Sequence, residues 1–189
     1  MAARRPKTAP PVVDSPVTWR DGVHLTGTSI WCDALRARDV CFVSRADAVT
    51  AARHGQLCAT AETLALLGGA EGLRQPESVL AVPYARPFTL GTRRIELIRS
   101  GAGLGGASLL VDIDGMRVVY AGAIDLRGGG LGGVADVRSC DTVILDAALA
   151  APGIAFEPTA ALVDRLADHV RGTLAAGGTA VLLVGSPAR

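Results

Sequence analysis

Residues 107–122, "ASLLVDIDGMRVVYAG", constrain the fold of this chain more than any other stretch. Leu109, Val111 and Ile113 alternate onto one face, Asp114-Gly115 supplies the residues of a tight turn, and Val118 and Tyr120 carry the return strand, so the segment predicts a β-hairpin. Directly before it lies "SGAGLGGAS", in which Gly101, Gly103 and Gly106 have the G-x-G-x-x-G spacing of a dinucleotide loop. Such a loop needs a helix immediately after its glycines, because the helix N-terminus provides the amides and the dipole that hold the phosphates. A strand follows instead, and no β-α-β unit closes with an acidic residue. The glycines therefore do not mark a nucleotide cofactor, and none is expected.

Around the hairpin the pattern is strand-rich with a few helices. "VCFVS" (40–44), "QLCAT" (56–60), "FTLGTRRIELIRS" (88–100, two strands) and "DTVILD" (141–146, a buried strand) read as strands. "ADAVTAARHG" and "TAETLALLGG" read as helices. A third helix over 159–178 carries Leu162, Leu166, Val170 and Leu174 at four-residue steps as its core stripe, with Thr159 as N-cap and Gly177 as stop. "TAVLLVG" then predicts a further strand, and "RGGGLGG" (127–133) a loop. Residues 1–16, with Pro6, Pro10, Pro11 and Pro16 among charged side chains, predict a disordered tail ahead of a single domain over 17–189.

With 49% apolar and 20% charged residues and a net charge of +1, the chain has the balance of a globular domain. Its arginines are scattered without interleaved aromatics, so the charge does not indicate a nucleic-acid partner. No stretch is long and apolar enough to predict a membrane span. Cys32, Cys41, Cys58 and Cys140 show neither C-x-x-C nor zinc-finger spacing, which predicts reduced structural thiols and a cytoplasmic location. Ser44 and Ser108 have no histidine base at a recognisable spacing, and "VGSPAR" lacks the second glycine of a nucleophile elbow, so a serine hydrolase is not expected.

In series, "VCFVSRADAVTAARHG", "RSGAGLGGAS", "MRVVYAGAID" and "RSCDTVILDAAL" resemble the metallo-β-lactamase fold, and more narrowly its mRNA 3′-end-processing and ligase-associated DNA exonuclease branch. That branch has a strand running into H-x-H-x-D-H, an "ARHG"-like turn, "PAGHxLGSA", a hairpin, "YTGD" and a strand ending in an acidic residue. The resemblance covers roughly 17–189. It implies an α/β (α+β) fold: an αββα sandwich in minimal form, without the inserted β-CASP-type domain, since the chain stops at "GSPAR" near the junction where that domain enters.

Every metal position in the resemblance has changed. The histidine motif falls on Arg45, Asp47, Val49 and Thr50, or one residue earlier on Ser44, Ala46, Ala48 and Val49. The histidine of "PAGH" falls on Ala102 and the bridging aspartate of "YTGD" on Ala123. Two zinc ions held by histidines and aspartates would activate a bridging water in that family. Without those donors the resemblance implies no catalytic residue, no metal ligand and no cofactor. Arg45, Asp47, Ala102, Ala123 and Asp146 then outline a vestigial pocket, and Arg45 with Gly101 and Gly103 could hold an anion. Asp47, Asp125 and Asp146 would favour magnesium or calcium if they gathered. His24, His54 and His169 are expected to be structural or surface residues. The leading expectation is a catalytically inactive interaction or scaffold protein, partnered by another protein or by itself. The alternatives are a hydrolase with a rearranged or interface-supplied metal site, and a phosphate- or nucleotide-binding protein.

Overall fold

The computed structural model describes residues 15–48, 52–68, 76–128, 130–148 and 150–183. The tail over 1–14, Val49 and Thr50 of the resembled histidine motif, and residues 184–189 lie outside them. Among the described residues, eleven strands form two mixed sheets. The six-stranded sheet runs β1 (Val17–Trp19), β2 (Val23–Leu25), β3 (Ile30–Cys32), β4 (Val40–Phe42), β5 (Gln56–Ala59), β6 (Ser78–Ala81) in chain order. Its first three strands are antiparallel and β3 to β6 are parallel. The five-stranded sheet has the order β11 (Thr142–Leu145), β10 (Met116–Gly122), β9 (Ala107–Ile113), β8 (Arg93–Arg99), β7 (Phe88–Leu90), antiparallel except for the parallel β10–β11 pair.

The predicted hairpin is β9–β10. Asp114 and Gly115 have φ of 52° and 84°, the positive values that a two-residue turn between twisted strands requires. Its inward residues Leu109, Val111, Val118 and Tyr120 meet Leu25, Ile30 and Phe42 of the larger sheet, so the main core lies between two sheets packed face to face. A second cluster covers the other side of the larger sheet. There α1 (Ala61–Gly68) lays Leu64 and Leu67 against Cys41, Val43, Leu57 and Ala59. Cys32, Cys41 and Cys58 are buried free thiols and Cys140 is half-buried. Burial pushes Cys41 and Cys58 up to about 12, which makes them inert packing residues.

Four local expectations differ from the structure. Of "ADAVTAARHG", the described part is a single 3₁₀ turn, Ala46–Ala48, followed beyond the undescribed positions by residues 52–54, which are not helical. Strand β11 forms as predicted but is not buried: Thr142 and Ile144 are half-buried, and Val143 and Leu145 are 52% and 49% exposed. The third helix, α2 (Thr159–Ala175), begins after Pro158 with no side-chain cap, and its stripe of Leu162, Leu166 and Leu174 is exposed. Residues 179–183, within the predicted last strand, form no regular element and pair with no described strand. The pattern at α2 set the helical period correctly, yet a period does not decide whether a partner surface is there to bury it.

His54 is 1% exposed, and its Nδ1 has no hydrogen-bond partner. Burial, helped by the Arg38 charge, holds its pKa below the ordinary histidine value. Protonation therefore favours the unfolded chain. The stability this group contributes is present above its unfolded pKa of about 6.5 and is lost as pH falls towards the lower folded value. Melting temperatures measured between pH 7.5 and 5 should fall with acid, and His54→Gln, which cannot titrate, should flatten that slope. Parallel slopes for the two proteins would contradict it.

Candidate functional site

Parallel strands deliver their carboxyl ends to the same side of a sheet, and this concentrates the polar side chains of the fold. Asp33 follows β3 and Ser44–Arg45 follow β4, its parallel neighbour; Ala123 follows β10 and Asp146 follows the parallel β11. Together they line a cavity of about 520 Å³ at one end of the sandwich, with Trp19 on its wall. Gly122, at φ 57°, lets β10 come against Ser44: a Cβ there would lie 3.2 Å from the serine Oγ. The same residue opens a register shift in the β10–β11 ladder, and its carbonyl accepts from the Asp146 amide at 2.8 Å.

The floor of the cavity is a carboxylate with three donors aimed at it. Asp33 Oδ1 accepts from the Ser44 amide at 2.8 Å, and Oδ2 accepts from Ser44 Oγ at 2.6 Å and from the Tyr120 hydroxyl at 2.8 Å. Asp33 as a residue keeps some exposed surface, but its carboxyl group is enclosed. Burial pushes it above the usual carboxylate range, while the hydrogen bonds and the Arg45 charge pull the other way. The same burial, with Asp33 beside it, raises the Tyr120 phenol. Asp33 has φ 45°, a left-handed conformation that aspartate tolerates better than most residues.

Sequence reasoning missed Asp33 and Tyr120. The one available signal was an acidic residue directly after the alternating strand Ile30–Cys32. Its partners stand 11 and 87 residues away, beyond the reach of any local pattern.

The expected site residues divide between this cavity and its surroundings. Arg45, Ala123 and Asp146 line it. Arg45 Nε lies 2.6 Å from Asp47 Oδ1 in an ion pair with little exposure on either side, so the guanidinium faces a carboxylate from its own segment. Ala102 sits half-buried in the loop between β8 and β9 and is not among the residues lining the cavity. In that loop Gly101 has φ 73°, and a Cβ on it would collide with the Asp125 carbonyl. Gly103 has φ 108° and packs against Gly132, where a Cβ would lie 2.5 Å from the Gly103 carbonyl oxygen. The Gly105 carbonyl accepts from Thr60 and Thr63 at 2.7 and 2.8 Å, and the Gly106 carbonyl from Tyr84 at 3.1 Å. Close approach of backbone to backbone accounts for the glycines at 101, 105 and 132, and the positive φ for Gly103.

Asp125 turns to Arg127, which donates from its amide and its Nε and holds the carboxyl below its ordinary value. Asp47, Asp125 and Asp146 do not converge. Among the described residues no three His, Cys, Asp or Glu side chains come together in a group able to hold a metal ion. His24 stacks on Trp31 at 4.6 Å between ring centroids, His54 is in the core, and His169 is exposed on α2. Ser108 donates to the Ala121 carbonyl at 3.1 Å. No described helix is long and apolar enough to cross a membrane.

Fold and site define a mixed α/β protein of two facing sheets with a polar-floored cavity at one end. No protein-family model and no curated protein matches the sequence. Solved structures to which the chain is similar include a metallo-β-lactamase of Cronobacter sakazakii with an HARLDQ motif, at 18% identity and a TM-score of 0.38, over 56% of this chain and 54% of that one. The Rm3 metallo-β-lactamase shares 14% identity at a TM-score of 0.41, over 60% and 61% of the two chains. A protein of unknown function from Enterococcus faecalis V583 shares 16% identity at a TM-score of 0.36, over 49% and 26%. The matched region thus spans about half the length of the first of these.

Proposed function

We propose that this chain is a catalytically inactive relative of the metallo-β-lactamase-fold nucleases of the mRNA 3′-end-processing and ligase-associated exonuclease branch, and that it works as an interaction or scaffold protein. The observation that carries this reading is the Arg45–Asp47 ion pair. It occupies the segment where the resembled enzymes place their histidine ligands, and Ala123, without a donor, lines the same cavity. A guanidinium presents five N–H donors and no lone pair, so it repels a metal ion where an imidazole would bind one. The unpaired thiols of Cys32, Cys41 and Cys58 support a cytoplasmic setting.

The retained cavity favours a second reading, binding of a small ligand in the vacated site. Ligand screening by thermal shift addresses it, since a bound ligand raises the melting temperature by mass action. The main reading is tested by assaying the purified protein on a phosphodiester substrate and on single-stranded DNA and RNA after addition of zinc or manganese. The expected result is no metal-dependent cleavage above background. Turnover that rises with metal and disappears with a chelator would replace this reading with that of a hydrolase.

A further inference from the structure

The cavity at the end of the sandwich has a wall chemistry that selects among ligands. At about 520 Å³ it has the size of a small-molecule site. Much of its wall is apolar, with Trp19, Val23, Ile144 and Leu145 in the lining. Trp19 is 72% exposed, so a ligand seated beside it would take apolar aromatic surface out of water.

The ionic residues of the lining are Asp33, Arg45 and Asp146. The positive charge of Arg45 is already matched by Asp47, 2.6 Å away. The donors to the two lining carboxylates are neutral. Asp33 accepts from the Ser44 amide and hydroxyl and from the Tyr120 hydroxyl, and Asp146 Oδ1 accepts from the Ala148 amide at 3.1 Å. One guanidinium therefore stands against the three carboxylates of Asp33, Asp47 and Asp146, and the site is negative on balance. A carboxylate offers about four acceptor positions, so the three donors on Asp33 leave one open, on Oδ1, which takes only the Ser44 amide.

Resting on the small-ligand reading of this cavity, we infer that its ligand is an organic amine, an ammonium group carried on a compact apolar body. An ammonium has N–H donors and no lone pair, which suits the open position on Asp33 and the carboxylate of Asp146. The face of an indole such as that of Trp19 attracts a cation, and the aliphatic wall suits the apolar body. A phosphate or nucleotide would instead bring its charge against two carboxylates and a guanidinium already paired. Gly101 and Gly103, whose amides would have helped to hold an anion, are not among the lining residues.

The test compares three probes of similar shape by thermal shift of the full chain at millimolar concentration: phenethylamine, phenethyl alcohol and phenyl phosphate, with ammonium chloride as the salt control. Phenethylamine should raise the melting temperature by at least about 2 °C while the others leave it unchanged. Asp146→Asn keeps the acceptor for the Ala148 amide but removes the charge, and should weaken phenethylamine binding about fivefold. Trp19→Ala, at an exposed position, should weaken it as well. Stabilisation by the alcohol or the phosphate in place of the amine overturns the inference and leaves the small-ligand reading standing. Indifference to all three probes overturns both. An amine-induced shift that is the same in wild type and in both variants puts the amine outside this cavity and overturns the inference too.

Discussion

Phe42→Ala is expected to lower stability by about 3–5 kcal/mol, the range for truncating a buried aromatic side chain. Phe42 is 1% exposed in the middle of the layer between the sheets, and its ring meets Tyr120 edge-on with 6.3 Å between centroids and 87° between planes. Truncation removes both the transfer free energy of the ring and its contacts across the two sheets, and strands on both sides hold the resulting cavity open. At about 2–4 °C per kcal/mol for a domain of this size, the melting temperature should fall by roughly 6–20 °C. Phe42→Leu, which refills most of the volume, should fall less. A thermal denaturation curve displaced by under about 3 °C for Phe42→Ala would mean that the two sheets do not meet at this residue.

The second large effect is expected at Asp33. Its removal leaves the Ser44 amide, the Ser44 hydroxyl and the Tyr120 hydroxyl without the acceptor they share. Each buried donor left unpaired costs about 1–3 kcal/mol, and relief of the carboxylate's own burial offsets part of the sum. Asp33→Ala should therefore destabilise by about 3 kcal/mol. Tyr120→Phe removes one donor together with its demand and should cost much less. The triple change Asp33→Leu, Ser44→Ala, Tyr120→Phe should be more stable than Asp33→Ala alone, because only the Ser44 amide is then left wanting. Chemical denaturation of the four proteins gives this order directly. Equal stabilities for Asp33→Ala and the triple variant would show that the three hydrogen bonds do not share one acceptor.

Together these two positions show how polar and apolar packing converge at the site. Tyr120 belongs to the main core through its ring and to the cavity floor through its hydroxyl. The loop after β3, the loop after β4 and the end of β10 are fixed to one another by Asp33, so the cavity keeps a defined floor. Arg45 on the wall is held in a similar way by Asp47: paired at 2.6 Å, they satisfy each other within one short turn.

What could be read from the sequence was whatever depends on near neighbours along the chain. Alternation and Asp114-Gly115 were enough for the hairpin β9–β10, because a period of two and a positive-φ turn are properties of adjacent residues. The exclusion of a dinucleotide loop followed from the strand after Gly106, and β4, β5, β7 and β8 followed from short apolar runs. The four-residue spacing of Leu162, Leu166, Val170 and Leu174 likewise established that α2 is a helix. Only the tertiary structure decided that this stripe stays exposed, that β11 half-buries one side and bares the other, and that Asp33 holds Ser44 and Tyr120. Burial and hydrogen-bond partnership are set by which surfaces meet, and residues as distant as 33 and 120 meet only once two sheets have closed on each other.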